Sequence, residues 1–218
     1  MTIALSIIAA MALAYLIGAI PFGYVAARTQ GIDIREHGSG NIGATNVMRV
    51  LGKRIGLPVF ALDTLKGLLP VLLTGWWCQR DPLFLRTANA THLAEVLSGL
   101  SAVLGHNFTF WLGFKGGKGV ATSAGVMLGL APVVLLAAVV VWGLSFLVLR
   151  YVSLASILAG LTLPLATLLQ SHLRQNLNWP LLCLTVFIGA LTLWRHRTNL
   201  ERLRTGTEPR AAGRGARR

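Results

Sequence analysis

Two polar, glycine-rich loops carry the residues able to do chemistry. The first runs Gly38-Ser39-Gly40-Asn41-Ile42-Gly43-Ala44-Thr45-Asn46-Val47-Met48-Arg49, and the second Gly113-Phe114-Lys115-Gly116-Gly117-Lys118-Gly119; each follows a long apolar stretch. Glycines let backbone N–H groups turn toward an anion, while Ser39, Asn41, Thr45 and Asn46 add polar side chains and Arg49 adds charge. In the second loop Lys115 and Lys118 flank Gly116 and Gly117 at the entrance to an apolar segment, whose free N-terminal N–H groups and dipole favour a bound anion. The chemistry implied is the handling of phosphate at a membrane surface.

The nearest soluble motifs fail on context. Gly38-x-Gly40-x-x-Gly43 matches the dinucleotide fingerprint letter for letter, but that fingerprint requires a preceding strand and a βαβ unit, and neither is visible. Lys115 to Gly119 resembles a Walker A loop, yet Gly119 follows Lys118 where a magnesium-binding Ser or Thr is needed. ATP hydrolysis is therefore not expected. Asp63 and Lys66, three residues apart in an apolar segment, read first as a structural ion pair and second as a substrate contact. His106 and Asn107 adjoin the lysine loop and fit either a substrate contact or an interface pair, whereas His37 and His92 carry no assignment. In Arg195-His196-Arg197-Thr198-Asn199 the spacing sets His196 and Asn199 on one helical face.

The elements that must position these residues are membrane helices. Hydrophobic residues make up 54% of the 218 and charged residues 12%, and the mean hydropathy is +0.65, too apolar for an ordinary soluble domain. Alternating strands of about ten residues, as a barrel requires, are not visible. Apolar runs of spanning length lie at 3–27, 55–78, 92–111, 152–170 and 179–194. The first lacks a basic segment before it and reads as a permanent span, not a cleaved leader. A single helix over 120–149 would be about 45 Å long against a hydrocarbon core of roughly 30 Å, and Gly129 and Pro132 interrupt it.

Charge decides how that stretch is divided, because Lys and Arg accumulate in cytoplasmic loops. With seven spans and an outside N-terminus, Arg28, Arg35, Arg49, Lys53, Arg54, Lys115, Lys118, Arg150 and the Arg-rich C-terminus all fall inside, leaving Arg80, Arg86 and Arg174 outside. Six spans invert the bias. The expected fold is thus an all-α integral membrane protein of seven transmembrane helices, N-terminus outside and C-terminus cytoplasmic, with a short hairpin around 129–132. This topology gathers both loops, the 150–156 turn and the 195–199 segment on one face.

The net charge of +13 serves this topology and anionic lipid, and no nucleic-acid motif accompanies it. Residues 1–204 form the expected transmembrane domain, and 205–218 a basic, disordered cytoplasmic tail held near anionic headgroups. Cys78 and Cys183 lack metal-ligand spacing and read as packing residues; neither a metal nor a cofactor is expected.

Three segments closely resemble the membrane-bound acyl-phosphate:glycerol-3-phosphate acyltransferases of bacteria: residues 38–52, then 105–122 with Phe114-Lys-Gly-Gly-Lys-Gly-Val-Ala-Thr122, then Arg150-Tyr-Val-Ser-Leu-Ala-Ser156. The likeness covers nearly the whole chain. It implies seven spans, a cytoplasmic active site in the bacterial inner membrane, and transfer of a fatty acyl group from acyl phosphate to glycerol 3-phosphate, giving lysophosphatidate. By the same resemblance Ser39, Arg49, Lys118, Ser156, His196 and Asn199 bind substrate, and the donor arrives from a peripheral acyl-phosphate-forming enzyme through transient contact.

The residues suit that reaction. Two phosphorylated substrates must be held together and an oxyanion stabilised. Arg49 can grip one phosphate in bidentate fashion while Lys118 serves the acyl phosphate or its oxyanion, and the two assignments can be exchanged. Phosphate is already a good leaving group, so proximity supplies much of the rate and no enzyme nucleophile is required. The proton goes to His196 or to a substrate phosphate oxygen. None of the five histidines has Asp five residues on, which argues against the His-x4-Asp chemistry of acyl-CoA enzymes. An organic-anion transporter is the competing reading, but no inverted repeat is evident and the polar groups lie on one face instead of at the midplane.

Overall fold

The computed structural model describes residues 2–85, 87 and 89–211, and among these every regular element is helical. The chain divides into two compact units, Met1–Pro132 and Val133–Arg218.

In the first unit, the expected first span is built of α1 (Ile3–Gly18) and α2 (Phe22–Arg28), with a break between them. Pro21 lacks an N–H and stops the ladder, which leaves carbonyls around the break in need of donors. Thr109 Oγ1 donates to Ala19 O at 2.6 Å, and Lys66 Nζ to Ile20 O at 2.7 Å. After a 3₁₀ turn at Ile34–Glu36 come α3 (Ala44–Leu51), α4 (Lys53–Cys78), the short α5 (Pro82–Leu85), α6 (Ala90–Asn107) and α7 (Val120–Leu130).

Packing within this unit relies on backbones in close approach, as membrane helices do when small residues line the interface. Helix α6 packs on α1, and α4 packs on α6 and α7. A Cβ on Gly18 would overlap the Ala102 carbonyl and one on Gly105 the Tyr15 carbonyl; Gly67 and Gly125 lie against the carbonyls of Thr122 and Thr64 in the same way. Across this core runs the ion pair Lys66 Nζ to Asp63 Oδ1, at 2.8 Å with both side chains buried. The first of the two sequence readings, a structural ion pair, is therefore what the geometry describes. Lys66→Met, which strands the carboxylate, is expected to destabilise the protein by about 3–5 kcal/mol, and the double change Asp63→Asn/Lys66→Met by less. Melting in detergent checks this; equal melting of both variants and wild type would refute it.

The second unit holds α8 (Pro132–Leu149, whose first residue closes the first unit), α9 (Val152–Leu173), α10 (Trp179–Arg195) and α11 (Arg197–Arg204). The 120–149 stretch is two helices, as expected, and the break lies at Ala131 (φ −154°, ψ 73°), which precedes Pro132 and is displaced from the helical region that proline disfavours for its predecessor. Helix α8 exposes Leu136, Val139, Leu144, Leu147 and Val148, a surface suited to lipid and not to water.

Four segments are long and apolar enough to cross a bilayer: Ile3–Arg28, Lys53–Cys78, Pro132–Leu149 and Val152–Leu173. A fifth results if α10 and α11, bent by 52°, count as one. Helices occupy the remaining expected positions, but α6 carries His92, Glu95 and His106 along its length and α7 has 11 residues, about 16 Å of helix. Cys78 is buried as a packing residue, whereas Cys183 is exposed.

Candidate functional site

The first loop is half loop and half helix. Gly38 (φ +62°) and Gly40 (φ +69°) turn the chain through the left-handed region, and from Ala44 the segment becomes α3. This helix buries Ala44, Asn46 and Val47 and exposes Thr45 and Arg49, four residues apart on one face. Arg49 has no hydrogen-bond or ion-pair partner among the described residues.

Asn46 is enclosed, and its amide is committed to the loop itself. Its Oδ1 accepts from Ser39 N at 2.9 Å, and its Nδ2 donates to His37 O and Asn41 O, each at 3.0 Å. Asn41 Oδ1 accepts from Gly43 N at 2.8 Å. These two asparagines thus act as internal props of the loop, while the exposed Ser39 side chain and Gly40 form its rim. Before the loop, Asp33 accepts from Arg35 Nη2 at 2.6 Å and Arg28 Nη2 at 3.0 Å. The hydrogen bond from Arg35 holds the Asp33 carboxyl well below the usual carboxylate range against the opposing effect of burial.

The second loop is seated on the end of α6. Gly116 N donates to Asn107 O and Gly117 N to His106 O, both at 3.1 Å. Their N–H groups are spent on the fold, which narrows the expectation that these glycines offer backbone donors to an anion. What they provide is close approach: a Cβ on Gly116 would overlap the His106 carbonyl, and one on Gly117 the His106 ring at Nε2. Lys115 is exposed and Lys118 half-buried, one residue before Gly119 caps α7.

One hydrophobic cluster seats both loops. Ile34, Ile42, Val47 and Val59 form its buried centre, and Leu112, from the turn leading into the lysine loop, packs against it together with Phe22 and Tyr24. The Arg49 segment and the Lys118 segment, about 70 residues apart in the chain, are thereby brought to one end of the first unit.

The second unit holds the other expected residues. Ser156, buried in α9, donates to Val152 O at 2.7 Å and accepts from Trp142 Nε1 at 3.2 Å. His196 sits at the bend between α10 and α11, so the last expected face is not one straight helix. Its Nδ1 lies 2.8 Å from Thr192 O; a carbonyl only accepts, so Nδ1 carries the proton and Nε2 holds the lone pair of the neutral ring. Asn199 Nδ2 donates to Glu208 Oε1 at 2.7 Å.

Glu208 is the residue the sequence reading passed over. Its carboxylate also accepts from Ser153 Oγ at 2.6 Å and Arg202 Nε at 2.8 Å. Farther along, Ala211 N donates to Arg150 O and Arg210 Nε to Tyr151 O at the phenol, each at 2.9 Å. These hydrogen bonds tie residues 208–211 to Arg150, Tyr151 and Ser153 at the start of α9; the part of the expected tail at 212–218 lies outside the described residues. An acid in a basic tail was the available signal.

Burial pushes the Glu208 carboxyl up, but the bonds from Ser153, Asn199 and Arg202 outweigh it and hold the group below the usual range. A depressed carboxylate contributes stability above its unfolded value, about 4.3, that is lost as pH falls through the folded value. Acidification below about pH 4 is expected to release 205–211, and Glu208→Gln to release it at neutral pH, because an amide nitrogen then faces a donor. Hydrogen exchange over 205–211 reads both; protection unchanged in the variant would contradict the account.

A family model described as glycerol-3-phosphate acyltransferase matches residues 8–206. Glycerol-3-phosphate acyltransferases of Geotalea daltonii (44% identical over 195 residues, 89% of this chain and 92% of the relative) and Aquifex aeolicus (44% over 197 residues, 90% and 95%) are similar along nearly their full length. The fold is similar to a crystal structure of PlsY (YgiH), an integral membrane glycerol 3-phosphate acyltransferase, in its glycerol 3-phosphate form: TM-score 0.82, 42% identity, 95% of this chain and 96% of that one. Its lysophosphatidic acid form gives a TM-score of 0.79 at the same identity and coverage. Agreement of this extent in both sequence and fold makes the chain a member of the glycerol-3-phosphate acyltransferase family.

Proposed function

We propose that this protein transfers a fatty acyl group from acyl phosphate to glycerol 3-phosphate, releasing phosphate and forming lysophosphatidate for phospholipid synthesis. The observation that carries the site reading is the hydrophobic cluster seating both loops, because it brings a guanidinium on Thr45 and Arg49's face of α3 and the ammonium groups of Lys115 and Lys118 to one end of the first unit. Two phosphorylated substrates need that concentration of cations. A glycerol hydroxyl oxygen bonds to the acyl carbon, the acyl–phosphate C–O bond breaks, phosphate leaves, and the hydroxyl proton passes to a base.

In this reading Arg49, Ser39 and Thr45 bind the acceptor phosphate and Lys118 stabilises the acyl oxyanion. Asn41, Asn46, Gly116 and Gly117 shape the loops, with Gly40 at the rim. Ser156, His196 and Asn199 are the further substrate-binding groups of this reading, and His196 Nε2, the ring nitrogen with the lone pair, is suited to take the proton. His196→Gln is expected to lower kcat by about 10²-fold and to remove the acidic limb of its pH profile. A loss in KM alone, with the profile unchanged, would make His196 a binder and leave the proton to a substrate phosphate.

The membrane arrangement proposed is seven spans, N-terminus outside and C-terminus cytoplasmic, in the bacterial inner membrane. The distribution of Lys and Arg between alternate loops supports it. The donor comes from a peripheral acyl-phosphate-forming enzyme through transient contact.

The deciding experiment is lysophosphatidate formation by the detergent-purified protein from labelled glycerol 3-phosphate, with acyl phosphate, acyl-CoA and acyl carrier protein thioester offered separately. Product with acyl phosphate alone is the expected result. Product with acyl-CoA alone would overturn the donor assignment.

A further inference from the structure

A carboxylate, an ammonium and an imidazole gather in the first unit beside the lysine loop. Asp63 Oδ1 lies 2.8 Å from Lys66 Nζ and 3.7 Å from His106 Nδ1. The three residues are 2%, 3% and 4% exposed, so solvent does little to dilute their interaction. A buried ion pair adds little net stability over apolar residues of the same shape, so stability alone is a thin reason for it.

The geometry gives another reason. Lys66 is itself anchored by Ile20 O at 2.7 Å, which fixes where the Asp63 carboxylate stands. That carboxylate faces the Nδ1 edge of His106, and the opposite edge, Nε2, abuts Gly117 so closely that a Cβ there would overlap it. The same residue's backbone carbonyl takes the Gly117 N–H at 3.1 Å. His106 therefore bridges a fixed charge pair on α4 to the peptide immediately before Lys118.

We infer that His106, oriented by the Asp63–Lys66 pair, is a positioning residue that sets the placement of Lys118 for acyl transfer. This rests on the reading of Lys118 given above. The ring abuts Gly117, the residue before Lys118, and its effect on the reaction is inferred to pass through Lys118. A displacement on the order of 1 Å at a catalytic group costs about 100-fold in rate.

The test uses the full-length purified protein. His106→Asn keeps a polar group toward Asp63 but withdraws the edge that abuts Gly117. It is expected to lower kcat/KM about 100-fold and to speed amide exchange at 115–119, with exchange in α4 and α9 and the melting temperature as in wild type. Asp63→Asn/Lys66→Met, which removes the orienting charges without stranding one, is expected to act in the same direction. Unchanged loop exchange, or unchanged kcat/KM despite faster loop exchange, overturns the inference, as does uniformly faster exchange through α4 and α6, which marks a merely structural role. Lys118→Ala is measured alongside. If it retains turnover, the reading of Lys118 falls; if it is inactive while His106→Asn is fully active, only the positioning inference falls.

Discussion

Lys118→Ala is expected to reduce kcat by about 10³-fold, the loss typical of removing one donor that meets an oxyanion in a sheltered site. The side chain is half-buried at the entrance to α7, and Gly119 (φ +80°) caps that helix without a side-chain hydrogen bond. Alanine changes neither the glycine geometry nor the Leu112 packing that seats the loop, so the protein should melt as wild type. The distribution of the loss is informative. A fall in kcat with KM unchanged assigns Lys118 to the transition state, whereas a rise in KM for acyl phosphate assigns it to ground-state binding of that phosphate. Turnover close to wild type with both substrates would remove Lys118 from the site.

Which parts of the fold were legible in sequence follows from what each part depends on. Apolar runs announced α4, α8, α9 and α10 because a bilayer demands length and hydropathy, both of which are local properties. The division of 120–149 was legible from Pro132. The break between α1 and α2 was less so. Pro21 is visible, but the donors that make the break tolerable, Thr109 and Lys66, are 90 and 46 residues away from the carbonyls they satisfy. Helix α3 was hidden by its neighbours: the glycines of 38–43 made the segment look like one continuous loop, although Ala44 and Val47 at helical spacing pointed inward.

The same contrast holds at the site. The cationic, glycine-rich make-up of both loops was legible because charge and glycine content are compositional. The role of each residue was not. Asn41 and Asn46 look like ligand groups in sequence, yet their partners are backbone atoms of their own loop, which compact turns require and sequence does not display. Gly116 and Gly117 look like a phosphate cradle, but the end of α6 takes their N–H groups. Glu208 was overlooked because the cations around it suggested a solvated tail, whereas three donors converge on its carboxylate.

Arg49→Ala carries the second large effect. The guanidinium is exposed on α3 one turn beyond Thr45, and Val47, on the opposite side, packs in the cluster that holds Val59 of α4, so truncation leaves the fold intact. Two charge-assisted hydrogen bonds to the acceptor phosphate, at about 1.5–3 kcal/mol each, correspond to a loss of about 10²- to 10⁴-fold in kcat/KM for glycerol 3-phosphate. Arg49→Lys restores the charge but not the planar fork, so recovery should be partial. Glycerol, which offers the same hydroxyls without the phosphate, separates binding from damage. If Arg49 serves the acceptor phosphate, wild type and Arg49→Ala should acylate glycerol at equal, slow rates, and KM for acyl phosphate should not move. Loss of glycerol acylation together with a raised KM for acyl phosphate would reverse the assignment, placing Arg49 on the donor and Lys118 on the acceptor.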